Sequence, residues 1–371
     1  MAAQLTSCAG PESLAYTRGL YFEQKGNSHY RTEDPVSDAG IREYRNAIEQ
    51  YTTAVHLKPR YLDAISHRAS CYSRVGDHEL ALTDISEALA LAPKNKQFWQ
   101  LRAWVNRELG NFDKSVEDCD TCISLDPQDS MSWAARGSSE RKLREFKKSL
   151  DDLNEAIKLA PDKSMLYTER AAVYRDTGDL VAMNADYDKA AQLSPHDPDV
   201  YQGRGYTDFI LGNYEAANAD FHKVVSVSHH HFRTLPYAYL LGALSCRFLQ
   251  HDDDANDWLD RAAARLSLPV ASKADDAPLA ADWPAPAIQY LHGDITAQHL
   301  LDATAGKKDK LTEAYCYIGL QKTASHTSGG ADDLRWVIDH GNKNFVEYEI
   351  AMARQKQFAA TKSSAVGRKA D

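Results

Sequence analysis

Apolar residues recur at three- and four-residue spacing through most of the chain, as at Ala81, Ile85, Ala88 and Leu89. That is the period of a helix with one buried face. Two kinds of breaker interrupt it at a fixed interval. Pro59, Pro93, Pro127, Pro161 and Pro195 stand 34 residues apart, and between and after them fall Gly76-Asp77, Gly110-Asn111, Gly178-Asp179 and Gly212-Asn213. In the fourth unit Arg144-Glu145 replaces the Gly-led pair. Gly supplies the left-handed residue that ends a helix and Pro marks the following turn, so each unit predicts helix, tight turn, helix, turn. A sustained period of this length specifies a stacked array in which each unit buries its apolar face against its neighbours.

Fixed positions within the unit carry fixed residue types. Position 4 holds Ile65, Trp99, Trp133, Tyr167, Tyr201 and Tyr239, and position 8 holds Gly19, Ala69, Ala103, Gly137, Ala171, Gly205 and Ala243. Small residues recur at position 20 (Ala47, Ala81, Ser115, Ser149, Ala217, Ala255) and position 27 (Ala54, Ala88, Cys122, Ala156, Ala190, Ala262). Small residues let helices approach closely and an aromatic fills the space beside them. On these positions the chain resembles the tetratricopeptide repeat family. The resemblance implies an all-α, right-handed superhelical solenoid of helix-turn-helix repeats with a C-terminal helical cap.

The expected organisation is an N-terminal segment, 1–11, and seven repeats over 12–269: 12–61, 62–95, 96–129, 130–163, 164–197, 198–231 and 236–269. The first repeat carries extra residues around 28–43 (His29, Tyr30, Arg31, Pro35, Gly40), whose polar, turn-rich composition predicts a surface loop. A Pro- and Ala-rich linker over 270–286, with Trp283 its large anchor, leads to a C-terminal helical region, 287–358. Helices are expected over 295–304 (capped by Asp294), 311–324, 332–340 and 345–358. Tyr315 and Gly319 keep the repeat spacing, so 311–340 reads as a degenerate eighth repeat closed by a capping helix, and 359–371 as a disordered tail.

Charge adds two columns. Arg68, Arg102, Arg136, Arg170 and Arg204 occupy position 7, and Asp84, Asp118, Asp152, Asp186 and Asp220 occupy position 23. In a solenoid these become parallel ladders, expected to meet in bidentate Arg–carboxylate contacts that fix the stacking. A second basic set lies on the first helices at positions 12 and 13: Arg74, Arg107, Arg141, Lys142, Arg175 and Arg247. In the family, positions 2, 5, 9, 12 and 13 line a concave groove that binds peptides or helices of partner proteins. The resemblance therefore adds Gln100, Trp104, Gln202, Tyr206, Phe209 and Phe248 to the candidate groove, basic at its middle and aromatic toward repeats six and seven. An acidic or amphipathic partner segment suits that lining. The Lys/Asn pair with which some family members clamp chaperone C-termini is absent at positions 5 and 9, so that partner class is not expected.

Composition narrows the rest. With 43 Lys and Arg against 53 Asp and Glu the net charge is −10, which argues against a nucleic-acid partner. No apolar run is long enough to span a bilayer. No P-loop, dinucleotide loop, HExxH or GxSxG motif occurs, so no catalytic residue, cofactor, metal or small-molecule substrate is expected. Cys119-x-x-Cys122 falls at core positions 24 and 27 and reads as packing, and His229-His230-His231 as a loop. A third hypothesis places hidden chemistry at His292, Asp294 and His299. The function expected is a non-catalytic interaction scaffold, the alternatives being a self-associating, homo-oligomeric assembly subunit or a lipoprotein adaptor for cell-envelope enzymes. The N-terminus lacks a signal-peptide pattern, which reads as cytoplasmic, but Leu5-Thr6-Ser7-Cys8 resembles a bacterial lipoprotein cleavage box. Asn344-Phe345-Val346-Glu347-Tyr348 likewise resembles the closing helix of bacterial tetratricopeptide adaptor lipoproteins.

Overall fold

The computed structural model describes residues 10–32, 38–228, 235–268 and 283–367, in two compact units, Met1–Gly178 and Asp179–Asp371. The described residues form nineteen helices and no strand. The first unit contains α1 (Pro11–Thr32), α2 (Asp38–Leu57), α3 (Leu62–Val75), α4 (His78–Leu91), α5 (Lys96–Glu108), α6 (Phe112–Leu125), α7 (Ser130–Lys142), α8 (Phe146–Leu159) and α9 (Ser164–Thr177). The second contains α10 (Leu180–Leu193), α11 (Pro198–Leu211), α12 (Tyr214–Val227), α13 (Leu235–Phe248), α14 (Asp252–Leu266), α15 (Ala285–His292), α16 (Ala297–Ala303), α17 (Lys308–Ala324), α18 (Gly330–His340) and α19 (Val346–Gly367). Within each unit consecutive helices pack on one another, and from α3 to α12 alternate helices keep the interval of the sequence repeat.

The turns explain the breakers. Gly76 and Gly212 adopt φ of 90° and 89°, and in the fourth repeat Arg144 holds the same left-handed position at φ 62°. A side chain in that conformation costs on the order of 1 kcal/mol relative to Gly. Close approach explains the small residues: a Cβ on Gly137 would sit 3.1 Å from Leu153 Cγ and from the Ser149 carbonyl oxygen. Gly319 meets Leu334 Cγ and the Gly330 carbonyl in the same way, so α17 and α18 pack as an eighth repeat pair. The position-4 aromatics have a second use. Trp99, Trp133, Tyr167 and Tyr201 each donate to the carbonyl of the preceding repeat's proline (Pro93, Pro127, Pro161, Pro195) at 2.8–3.2 Å.

The charged columns meet inside both units. Arg68 grips Asp84 at 2.7 and 2.8 Å, Arg136 grips Asp152 at 2.7 and 2.8 Å, and Arg204 grips Asp220 at 2.7 and 2.7 Å. Arg102 holds Asp118 at 2.6–3.1 Å. The guanidinium groups of Arg102, Arg136, Arg170 and Arg204 also face their position-4 rings, at 4.6 Å for Trp99 and 4.9 Å for Trp133. A remaining nitrogen crosses to the preceding second helix: Arg136 to Asp120 at 2.6 Å, Arg170 to Asn154 at 2.6 Å and Arg204 to Asp188 at 2.8 Å. One cation thus joins two repeats and leaves the buried Asp satisfied. Asp186 is buried as well.

Beside this ladder sits one acid that is not satisfied. Position 11 in the third repeat is Asn106, whose amide donates to Asp118 Oδ2 at 3.0 Å. The fourth repeat places Glu140 in that slot, buried, against Asp152, with Oε2 accepting no hydrogen bond. Burial first, then the charge of Asp152, pushes its carboxyl up to about 7.

Four expectations are corrected. The 28–43 insertion is not a loop where it is described: residues 28–32 extend α1 and 38–43 begin α2, giving helices of 22 and 20 residues. Tyr44, buried against Gly26 and donating to Asn27 Oδ1 at 2.9 Å, joins α1 to α2 just inside the extensions, and Tyr51 and His67 both reach Glu23 Oε2 (2.6 and 2.8 Å). Asp294 does not cap α16; Thr296 does, because Asp294 is bound to His292. Residues 285–292, assigned to the linker and the approach to the next helix, form α15. The predicted tail is helical to Gly367. The remaining linker, 269–282, lies outside the described residues, as do Cys8 and His229 to His231.

Two outcomes follow from the ladder. Arg136→Ala strands a buried Asp152 and is expected to destabilise by about 3 kcal/mol, read as a lowered thermal midpoint by circular dichroism. Glu140 binds its proton more tightly folded than unfolded, so its contribution to stability falls as pH rises from the unfolded carboxylate range toward 7. Glu140→Gln, which donates as Asn106 does, is expected to raise the thermal midpoint at pH 8 and change it little near pH 4.

Candidate functional site

In the first unit the first helices α5, α7 and α9 lie side by side, and with α6 they enclose a pocket of about 570 Å³. Its buried wall consists of short side chains: Ala103, Ser115, Cys119, Cys122, Ala134 and Ser138. Trp104, Arg107, Met131, Met165 and Glu169 form the more accessible lining, and Met165 is 44% exposed. The two thiols are unpaired with each other, and burial pushes them up to about 12 (Cys119) and about 11 (Cys122). Sulfur so protonated is poor nucleophile and ligand, in keeping with a packing role.

The electrostatics of this face depart from a continuous basic stripe. Arg141 Nη1 donates to Asp176 Oδ2 at 2.7 Å and is mostly buried, while Arg175 lies 3.7 Å from the same carboxylate. Lys96 is bound to Asp126 and Asp129 at 2.6 and 3.1 Å. Gln100 also donates to Asp129, at 2.6 Å. Arg74 and Lys142 are exposed, off the pocket. Of the predicted groove residues, Gln100, Trp104 and Arg107 converge on the pocket.

The second unit overturns the other half of the prediction. Its first helices carry Gln202, Tyr206, Phe209, Arg247 and Phe248 at groove positions, but the chain's own C-terminal helices cover them. Helix α19 packs on α11, and α15 and α17 pack on α13. Phe209 is fully buried, Arg247 is spent on the Leu291 carbonyl at 2.9 Å, and Gln202 is buried beside Tyr206. At the centre stands Arg354, 4% exposed, its guanidinium 4.8–5.5 Å from the rings of Phe209, Tyr214 and Phe248 and donating to the Phe209 carbonyl at 2.8 Å. Desolvation lowers its affinity for the proton, and the three rings and the carbonyl are what a buried cation needs. Sequence position alone gave no sign of this role. The signal was a cation on the apolar stripe of α19, one turn after the buried Ile350 and Ala351.

A buried acid pair lies beside this contact. Glu313 accepts from Trp283 Nε1 at 2.7 Å, and Glu347 from Tyr317 Oη at 2.8 Å. Burial, then the charge of Glu347, pushes Glu313 up to about 8, and burial raises Glu347 as well. His292 is equally committed: its two ring nitrogens lie 3.0 and 3.1 Å from Asp294 and Asp260. Burial favours the neutral ring but the two carboxylates outweigh it and raise its pKa, so neither nitrogen is open to act as a base. His299 only closes the Thr296 cap through its backbone.

Residues 97–129 match the tetratricopeptide repeat family model. The same position-specific residues, turns and Arg–Asp rungs recur in the neighbouring helix pairs, so the helix pairs beyond this matched segment are similar to it. Solved structures similar to it include a tetratricopeptide repeat protein from Parabacteroides merdae (18% identity, TM-score 0.47, covering 67% of this chain and 93% of that one). Others are PilW, a type IV pilus biogenesis factor (20%, 0.48, 56% and 94%), and MamA from Desulfovibrio magneticus (20%, 0.40, 45% and 94%).

Arg354→Ala is expected to take one of two donors from the Phe209 carbonyl, leaving it the Gly212 N–H, and to open the aromatic cluster. Amide exchange over 346–358 should accelerate about tenfold or more, for a loss of at least about 1.4 kcal/mol, while exchange in α5, α7 and α9 stays as in the parent chain.

Proposed function

We propose that the chain is a non-catalytic interaction scaffold that holds a peptide or helical segment of a partner protein on the face formed by α5, α7 and α9. The observation that supports this most is the contrast between the two units. Equivalent positions are sealed by the chain's own helices in the second unit, whereas in the first they surround an open pocket with Trp104 and Arg107 at its mouth. Half-buried Trp and Arg around a small-residue hollow are the ingredients of an interface hot spot. A non-catalytic role is supported by the state of the chemically capable side chains: the thiols of Cys119 and Cys122 are held protonated, and His292 is bound at both nitrogens.

Two variants test the site. Ser138→Trp fills the pocket from its wall, and Trp104→Ala removes the aromatic at its mouth. Each is expected to reduce partner recovery in affinity capture with quantitative mass spectrometry by about tenfold, a loss of about 1.4 kcal/mol, with the helical circular dichroism spectrum preserved. Equal recovery by folded Ser138→Trp would move the binding function elsewhere on the molecule.

A further inference from the structure

The pocket lies where a small position 24 coincides with a small position 9 in the following repeat. Position 24 is Ile85, Leu153, Phe221 and Leu259 in four other repeats, all buried, but Cys119 here. Position 9, which is Trp104 in the preceding repeat and Tyr206 and Leu244 in later ones, is Ser138 here, as small as Ser70 and Ala172 at the same position elsewhere. Each exchange withdraws several heavy atoms from one place, and interiors do not ordinarily leave such volume unfilled. The hollow opens to solvent, so a side chain from outside can fill it.

Two unspent charges flank it. Asp129 is saturated by Lys96, Gln100, Ser132 Oγ and the Met131 amide. By contrast, among the described residues Arg107 has only Glu108, at 3.9 Å, and Glu169 has no hydrogen-bond or ion-pair partner. Arg107 stands on α5 and Glu169 on α9, on either side of the α7 wall.

The second unit supplies an example of how such a face is filled. Its occupant is a helix, α19, that inserts Ile350, Ala351 and Arg354 from successive turns of one stripe. Position 12 there is Phe209, which receives the guanidinium of Arg354. In the first unit the corresponding residue is Arg107, which repels a cation and attracts a carboxylate.

We propose that the α5–α7–α9 face takes an amphipathic helix of a partner protein that buries one bulky apolar side chain against Cys119 and Ser138, with an acidic residue facing Arg107 and a basic residue facing Glu169. The inference rests on the binding face proposed above and adds the chemistry of its occupant. A second copy of α19 does not meet the requirement, because it brings Arg354 to Arg107.

The test is selection from a displayed library of helix-forming peptides of about sixteen residues, roughly four turns, on the full chain and on Arg107→Glu, Glu169→Lys and Ser138→Trp. Sequences enriched on the parent chain are expected to combine a bulky apolar residue with an acid and a base on the same face. Arg107→Glu should weaken those peptides by about tenfold or more, about 1.4 kcal/mol, and enrich peptides with a base in place of the acid; Glu169→Lys should do the converse. Enriched peptides indifferent to both reversals, yet lost on Ser138→Trp, overturn the charge assignment and leave the binding face standing. Peptides retained on folded Ser138→Trp, or no enrichment at all, overturn both. A concentration-dependent dimer in sedimentation of the parent chain, abolished by Ser138→Trp, assigns the face to self-association and also overturns the proposal.

Discussion

One arginine per repeat carries the geometry of the helix pairs. Its guanidinium is planar and offers five donors, so it can hold a buried carboxylate with two, reach the preceding second helix with a third and lay its face on an aromatic ring. Arg136 does all of this at once: Asp152, Asp120 and Trp133 surround it. Lysine, a point charge on a flexible stem, could satisfy only part of that set. Ion pairs of this kind contribute little net free energy once desolvation is counted. Their effect is to fix register, since a first helix displaced against its own second helix leaves a buried Asp without its cation, and a pair displaced from its neighbour loses the third contact. The period of the sequence is therefore enforced by polar contacts as well as by small-residue packing.

Fixing the helix pairs in this way makes the exposed stripe of each first helix a repeated, addressable surface. The two units use it differently. In the second, α15, α17 and α19 cover it, and the burial of Phe209 and Arg354 holds the cap down. In the first, short residues at positions 9 and 24 leave a hollow with unspent charge beside it. The same repeat architecture can therefore be closed on itself or left open, depending on a few side chains at fixed positions.

Most of the helix pairing was legible in the sequence because it is periodic. Helix limits, left-handed turns and the Arg and Asp columns are all consequences of residues recurring every 34 positions. What was illegible depends on contacts that periodicity does not encode. Position 12 identifies Phe209 as facing away from the second helix, but nothing near it announces that Arg354, 145 residues later, covers it. Asp294 has the chemistry of a helix cap, yet the nearby His292 claims it and Thr296 takes the role. The stretch 28–43 reads as a loop because its polar composition does not announce the contact of Tyr44 with Asn27 that joins α1 and α2 beside it. Arg141 read as a groove cation because its partner Asp176 lies one repeat further on.

The most direct test of the division between an open face and a self-covered one is hydrogen–deuterium exchange on the full chain, with and without a peptide selected on it. The account predicts slowed exchange confined to 96–108, 130–142 and 164–177, the ranges of α5, α7 and α9. Slowing instead at 198–211 and 235–248, with faster exchange over 346–358, would mean that α19 yields its place to the ligand, and would contradict it.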